Sequence, residues 1–521
     1  MKKVLILVLL LSFFTLNFLS AQRESLTYDE PVHLKAGLEE WQKRDFSMDA
    51  NNPPLIRELA AIPVVLGIKP GRQYLPSRMV ITFLGLVLVF LVFKYAKNKF
   101  GLKVGLFSLV LFVFEPNILA NSHYLTLDIG VTLFFVLAYL SFLKFLDKTS
   151  VKNTLIWGLF LGLALTSKVT MIPALFLSFI LATLIKRKKL NRAFLKRAFV
   201  GIGFTILVIW AVYFFTFAPI IAERKDPTRL SERIMVLAEE RNYPFVKELI
   251  LWAKETPVPL GYYLATLKNG LVFNLSSHRI DFLGRFYPDN RFYFLPTLLA
   301  LKLPVSLLLL FFCGLLRGVK EKKKEIFLLL IPVLVMLLIF SFGHFPPRVR
   351  YLLPAYPFLI MVAALGADWL SKKHFGKVIL GILLVWYFIG TIFSFPHFIS
   401  YANEIAGPRQ TRIFLFSDSN YDWGQGLFDL KKYVEENNIA SVGLSYCGTD
   451  NPAEYGLAAD RPFAERFEDR CPLYQIKLKE EGKKIIAISL TNYYYCGYYQ
   501  HSEFSKDKVS EIVGDSILIF K

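Results

Sequence analysis

Thr27-Tyr28-Asp29-Glu30-Pro31-Val32-His33 opens a stretch that runs on to Asn51-Asn52-Pro53-Pro54-Leu55-Ile56-Arg57. Two adjacent carboxylates, Asp29 and Glu30, follow directly on an apolar first segment, Val4 to Leu19. That order places them just beyond one face of a membrane. The decision between a solvated loop and a site rests on the rest of the chain.

With a mean hydropathy of +0.44 and 49 Phe among 521 residues, the chain is not a soluble globule. Apolar runs of roughly bilayer length, about 17 to 25 residues, recur along it. They fall at 3–21, 78–96, 104–118, 127–146, 154–167, 170–186, 198–218, 292–315, 326–342, 350–369 and 377–396. The reading is therefore a polytopic α-helical membrane protein of about eleven transmembrane helices. The 154–167 and 170–186 pair is short on both sides of Thr166-Ser167-Lys168, so a broken or re-entrant hairpin is the alternative there.

The formal charge of +20 has a topological origin. Lys2, Lys3 and the connections 94–104, 144–153, 186–197, 317–325 and 371–377 hold 24 of the 61 basic residues, with only Asp147, Glu321 and Glu325 as acids. The surplus sits in short loops on alternate sides of the spans, as the positive-inside bias requires. A nucleic-acid partner is excluded on that distribution. The same bias puts the N-terminus in the cytoplasm of a cell whose inner (plasma) membrane the chain crosses, and the segment after span eleven outside. Four polar loops then share the outer face: 22–77, the Glu115–Asp128 connection, the 219–290 insert and the His344–Arg350 turn.

Lys2-Lys3, the apolar run and Ser20-Ala21 resemble a signal peptide. Leu19 and Phe18 stand where cleavage needs small residues, so a retained anchor is expected. From about residue 400 the composition becomes mixed. Short strands at 413–416, 441–446, 484–490 and 516–520, with helices at 427–437 and 473–481, predict an outward-facing small α/β domain over 400–521 beside a membrane domain over 1–399. Cys447, Cys471 and Cys496 lie in that outer part, where one disulfide is expected and spacing cannot choose the pair.

Several ionisable groups sit near membrane depth, where by default they face a cavity or a partner. Glu115, His123 and Asp128 fall within one connection. Lys168 interrupts an apolar stretch with no carboxylate nearby in sequence. Arg348 and Arg350 stand on the outer side against the charge bias, and Arg is suited to bidentate phosphate binding. Asp418-Ser419-Asn420-Tyr421-Asp422 begins like a calcium loop, but Trp423 stands where Gly is needed, so helix capping is the expected role.

These residues in this order resemble the GT-C membrane glycosyltransferases, and within them the protein O-mannosyltransferase and aminoarabinose-transferase branch. The matching stretches are Tyr28-Asp29-Glu30, Asn52-Pro53-Pro54-Leu55, Pro116 to Asp128, Ser167-Lys168-Val169-Thr170 and Arg348-Val349-Arg350-Tyr351-Leu352-Leu353-Pro354. Asp418 to Gln425 resembles a segment that opens the outer domain of certain bacterial members. Three departures stand out. Asn121 follows Ala120 where the family often has His, Leu127 separates Thr126 from Asp128, and Val349 separates Arg348 from Arg350.

The resemblance implies an inverting glycosyltransferase that moves a sugar from a polyprenyl-phosphate donor to a hydroxyl of a protein, lipid or glycan. Such a donor has a good leaving group, so one carboxylate suffices to take the acceptor proton, and cations must stabilise the departing phosphate. It implies Asp29 as base, with Asp128 orienting the acceptor or supporting Asp29, while Lys168 with Arg348 or Arg350 holds the lipid phosphate. Asn52, Pro54, His123 and Tyr351 would line the substrate site. Glu30 would fix its loop or share a divalent metal ion with His123. A transporter or lipid flippase is the alternative class, and paired broken helices in matching halves would favour it.

Overall fold

The computed structural model describes residues 2–188, 190–221, 243–275, 280–321, 324–459 and 471–521. Parts of the 219–290 insert and of the 400–521 segment lie outside these residues.

The N-terminal half is a series of helices: α1 (Lys2–Arg23), α2 (Glu30–Lys43), α3 (Leu55–Val65), α4 (Leu75–Phe100), α5 (Leu102–Val113), α6 (Pro116–Ser122), α7 (Asp128–Asp147), α8 (Val151–Leu165), α9 (Ile172–Ile185) and α10 (Arg192–Val212). The insert follows with α11 (Pro244–Glu255) and α12 (Gly261–Leu275), and the two-residue strand β1 (Phe217–Ala218) before it pairs with β2 (Val258–Pro259) between those helices. A hairpin of β3 (Ile280–Phe282) and β4 (Arg285–Tyr287) leads to α13 (Phe294–Lys302), α14 (Val305–Lys320), α15 (Lys324–Phe342), α16 (Tyr356–Ser371) and α17 (His374–Phe393).

Among the described residues seven helices are long and apolar enough to cross a membrane, or nine if two bent pairs each count as one. The bends are 63° between α5 and α6 and 111° between α13 and α14. The other two of the eleven expected spans are α8 and the 169–185 segment, both shorter than a full crossing. α7 and α16 are buried almost throughout, whereas α1, α10 and α17 leave most of their apolar surface outward. A helix that is apolar all round fits either a bundle core or a lipid-facing position. Here α7 and α16 form the centre and the others the lipid-facing rim. α14 meets α16 at small residues: a Cβ added to Gly314 would strike the Val362 carbonyl, and one added to Gly366 would strike the Leu310 carbonyl. Close backbone approach through small residues is how helices associate where lipid removes the hydrophobic drive.

The C-terminal segment forms a five-stranded mixed sheet in the order β6-β5-β7-β9-β8, from β5 (Ile439–Ser445), β6 (Tyr474–Lys477), β7 (Lys483–Ser489), β8 (Glu511–Val513) and β9 (Ile517–Phe520). β5 and β7 run parallel, and α18 (Leu427–Glu436) packs on them through Leu430 and Val434. Two local expectations fail. Ile413–Leu415 is a 3₁₀ turn whose Ile413 and Phe414 are buried with the membrane helices. Tyr474–Lys477 is an edge strand rather than a helix. Its alternately buried and exposed residues pair antiparallel with Ser441–Leu444, so a partner distant in sequence overrides the helical propensity of its Lys and Glu neighbours. The disulfide joins Cys471 to Cys496, and Cys447 is buried outside that bond.

The sheet segment is stitched to the first outer loop. Tyr28 N–H donates to the Trp423 carbonyl at 2.9 Å, Ser25 N–H to the Gln425 carbonyl at 3.1 Å, and Leu26 N–H to Asp450 at 3.0 Å. Gly366→Leu is expected to force α14 from α16 at a cost of about 1–3 kcal/mol, an overpacking penalty. A thermal melt of the detergent-purified protein reads it as a lowered midpoint, and an unchanged midpoint contradicts the close approach.

Candidate active site

The first outer loop is pinned by one buried ion pair. Arg78 Nε donates to Glu30 Oε1 and an Arg78 terminal nitrogen to Glu30 Oε2, both at 2.7 Å. The remaining guanidinium hydrogens go to the carbonyls of Ala21, Glu24 and Ser25. Glu30 also accepts from the backbone N–H groups of Thr27 and Leu125. Both side chains are fully buried, and a pair this desolvated holds only because every donor has an acceptor. Glu30 thus serves the loop and stands outside the cavity beside it.

Asp29, one residue earlier, faces that cavity. It is the last loop residue before α2, whose Pro31 suits a first helical turn. The cavity has a volume of about 320 Å³, and Asp29, Asp128, Lys168, Arg350, Asn52 and Tyr351 all line it. Asp128 starts α7. Lys168 is extended, in the break between α8 and the 3₁₀ turn Val169–Met171, which frees its side chain from either helix. Arg350 enters from the 3₁₀ turn Val349–Ala355 ahead of α16. Four elements distant in sequence thus deliver two carboxylates and two cations to one space.

These four groups are paired. Lys168 Nζ lies 2.7 Å from Asp128 Oδ1, and an Arg350 terminal nitrogen 3.0 Å from Asp29 Oδ2. Arg350 also stacks over Trp423, 4.4 Å from the ring centroid. Among the described residues four buried polar atoms of lining residues have no hydrogen-bond partner: Arg350 Nε, Thr170 Oγ1, Thr126 Oγ1 and His33 Nδ1. Buried polar atoms are seldom left unmatched in a folded interior, so a polar ligand is the natural complement.

His33 and Asp49 were not singled out from the sequence, and both line the cavity. His33 Nδ1 is 3.7 Å from Asp49, too far for a hydrogen bond. Burial lowers the His33 pKa against the opposing pull of Asp29 and Asp49. Asp49 is held by Arg57 at 2.8 Å, and Arg57 in turn is bound to Glu40 at 2.5 Å. Local spacing carries no trace of that arrangement. Phe273 and Phe345 supply an apolar wall.

Besides Glu30, three sequence candidates lie outside the cavity lining. Arg348 is buried and forms a two-pronged pair with Asp281, 2.6 Å at the nearer contact, with a third bond to Asp418 at 3.1 Å. Burial would raise the Asp418 carboxyl, but Arg348 and Arg350 outweigh it and hold it down to about 2. His123 bonds Glu24 at 2.7 Å and the Leu119 carbonyl at 2.8 Å. Pro54 caps α3 outside the lining. Glu30 and His123 are therefore engaged by different partners and do not fit a shared metal. Among the described residues no three His, Cys, Asp or Glu side chains converge to hold one.

Glu24 joins the two parts of the chain. Its carboxylate takes His123, Tyr124 at 2.7 Å and His397 at 3.0 Å, and His397 reaches Asp429 of α18 at 3.4 Å. Burial works against both charges, yet the hydrogen bonds prevail. Glu24 is held down to about 2 and His397 pushed up to about 10.

Residues 52–214 match the family model described as dolichyl-phosphate-mannose-protein mannosyltransferase. No curated protein sequence matches the chain. In fold the chain is similar to ArnT from Cupriavidus metallidurans in its apo state, at 15% identity and a TM-score of 0.51, over 74% of this chain and 63% of that one. The same ArnT bound to undecaprenyl phosphate gives 16% identity and a TM-score of 0.50 over the same shares. The chain thus spans less than two thirds of the ArnT length. The Pmt1-Pmt2 complex of S. cerevisiae bound to the sugar donor matches over 41% of this chain and 32% of that one, at 23% identity and a TM-score of 0.33. The sequence match and the shared fold bear out the resemblance to the GT-C membrane glycosyltransferases.

Two predictions follow from the geometry. Arg348→Ala leaves Asp281 buried without its cation and is expected to cost about 3–5 kcal/mol of stability, read as a lowered melting midpoint. The His397 pKa lies above its usual 6.5 in the folded state. The stability it contributes is therefore complete below about pH 6.5 and is lost as pH rises toward 10. Melts across that range are expected to fall more steeply for wild type than for His397→Gln.

Proposed function

We propose that this chain is an inverting glycosyltransferase that moves a sugar from a polyprenyl-phosphate donor to an acceptor hydroxyl at the outer face of the membrane. The observation that carries it is the cavity of Asp29, where two carboxylates and two cations meet beside unmatched buried donors. A lipid phosphate brings oxygens that accept from Lys168 Nζ and from Arg350, including its unmatched Nε. It would compete with Asp128 and Asp29 for those cations and so release the carboxylates.

The reaction is then a single displacement. The acceptor oxygen forms a bond to the anomeric carbon as the bond from that carbon to the phosphate oxygen breaks, inverting the centre. The acceptor proton passes to Asp29. The electron pair leaves with the lipid phosphate, whose added charge Lys168 and Arg350 stabilise. Asp128 orients Lys168 and the acceptor. Asn52, held to Asp49 at 3.3 Å, and Tyr351, whose ring lies 5.3 Å from Lys168 Nζ, shape the sugar pocket. Arg348, Glu30 and His123 act as positioning residues, through Asp418, the Asp29 loop and Glu24 respectively.

In this reading the protein lies in the plasma membrane with its N-terminus in the cytoplasm. Residues 1–399 form the transferase domain, and residues 400–521 form an outer domain that covers the acceptor side. The match to a mannosyltransferase family model over 52–214 supports a hexose donor, with a pentose as the other donor class and a protein, lipid or glycan hydroxyl as the acceptor class.

The test follows transfer from a panel of radiolabelled polyprenyl-phosphate sugars, with membrane extract as acceptor source. Wild type is expected to transfer one of them, and Asp29→Asn to lower turnover by about 10²–10⁴, the usual contribution of a general base, with donor binding retained. Lys168→Ala is expected to weaken donor binding itself. Full turnover in Asp29→Asn contradicts the assignment.

A further inference from the structure

α7 carries Asp128 at its first residue and Asp147 at its last, the two ends of a 20-residue helix and so about 30 Å apart along the axis. Around Asp147, at the far end of the bundle from the Asp29 cavity, lies a second cavity of about 350 Å³. Five lysines and two carboxylates line it. Lys99 comes from the last turn of α4, Lys144 from the last turn of α7, Lys186 and Lys188 from the end of α9, and Lys324 from the start of α15. Lys186 is engaged by Asp147 and by the Leu143 carbonyl at 3.2 Å. Among the described residues no carboxylate lies within ion-pair distance of Lys99, Lys144, Lys188 or Lys324.

A positive-inside bias explains lysines at this end of the bundle but not their convergence on one cavity. Cations gathered around a single cavity repel one another, and an anion among them removes that cost. An open trough of about 540 Å³ adjoins the cavity and shares Lys324 with it. Its apolar members Leu184 and Phe327, from α9 and α15, are 65% and 40% exposed. A soluble phosphate uses only the basic cavity. A molecule with an anionic head and an apolar tail uses both.

We propose that this cavity and trough bind an anionic phospholipid, with the headgroup phosphate among Lys144, Lys188 and Lys324 and an acyl chain between α9 and α15. Basic pockets between membrane helices recognise anionic headgroups in this way. The site is separate from the donor cavity, although α9 and α15 lead to Thr170 and Phe345 in the wall of that cavity.

The test is native mass spectrometry of the full-length detergent-purified protein, titrated with phosphatidylglycerol, with phosphatidylethanolamine of the same acyl chains, and with soluble glycerol phosphate. Wild type is expected to bind phosphatidylglycerol about tenfold more tightly than phosphatidylethanolamine. Lys144→Gln with Lys324→Gln is expected to erase that preference. Lys103→Gln with Lys152→Gln, at the same end but outside the cavity, is expected to keep it. Melting curves confirm that both variants fold, and Lys99→Gln alone replaces the first if it does not. Three results overturn the proposal: no preference in wild type, equal loss in the control variant, or glycerol phosphate binding as tightly as the lipid.

Discussion

The buried pair between Glu30 and Arg78 is the constraint on which the site depends. Arg78 spends all its guanidinium hydrogens on Glu30, on the Ala21 carbonyl in the last turn of α1 and on the loop carbonyls of Glu24 and Ser25. These bonds hold the loop after the first helix with Glu30 turned inward. Asp29, its neighbour, is then directed into the cavity, where Arg350 awaits it. An ion pair this desolvated is weak evidence of stability, but it specifies geometry. Catalysis by a positioned carboxylate needs that more than it needs added stability.

The rest of the architecture delivers the partners of Asp29. The break between α8 and α9 frees Lys168, the start of α7 supplies Asp128, and the turn before α16 supplies Arg350. The C-terminal segment does more than cap this arrangement. Trp423 stacks on Arg350, Asn420 accepts from the Val349 backbone at 3.0 Å, and Asp418 shares Arg348 with Asp281. Its residues from Ile413 to Trp423 belong to the same apolar core as the membrane helices, whereas α18 and much of the sheet have a core of their own. Orientation of Arg350 thus depends on both parts of the chain.

Much of this was legible in the sequence, for definable reasons. Apolar runs report their own length, and charges that interrupt them report a cavity or a partner, so Asp29, Asp128, Lys168 and Arg350 stood out. What escaped were partners joined only by folding. Arg78 reads as one more basic residue at a helix start, and Glu24 as a loop acid, until Glu30 and the two imidazoles are brought to them across the bundle. Asp49 and His33 carry no local signal either. Arg348 and Arg350 look equivalent in one dimension. The two-residue offset on a 3₁₀ turn sends one into the Asp281 pair and the other into the cavity. The 474–477 strand was hidden because its pairing partner lies some thirty residues away.

The central claim is that a lipid phosphate displaces two ion pairs inside one cavity. The most direct measurement is a cryo-electron microscopy structure of the protein with a polyprenyl phosphate bound. The account predicts phosphate oxygens within hydrogen-bond distance of Lys168 Nζ and the Arg350 guanidinium, with Lys168–Asp128 and Arg350–Asp29 lengthened. A phosphate held elsewhere, with both pairs intact as in the unliganded chain, would contradict it.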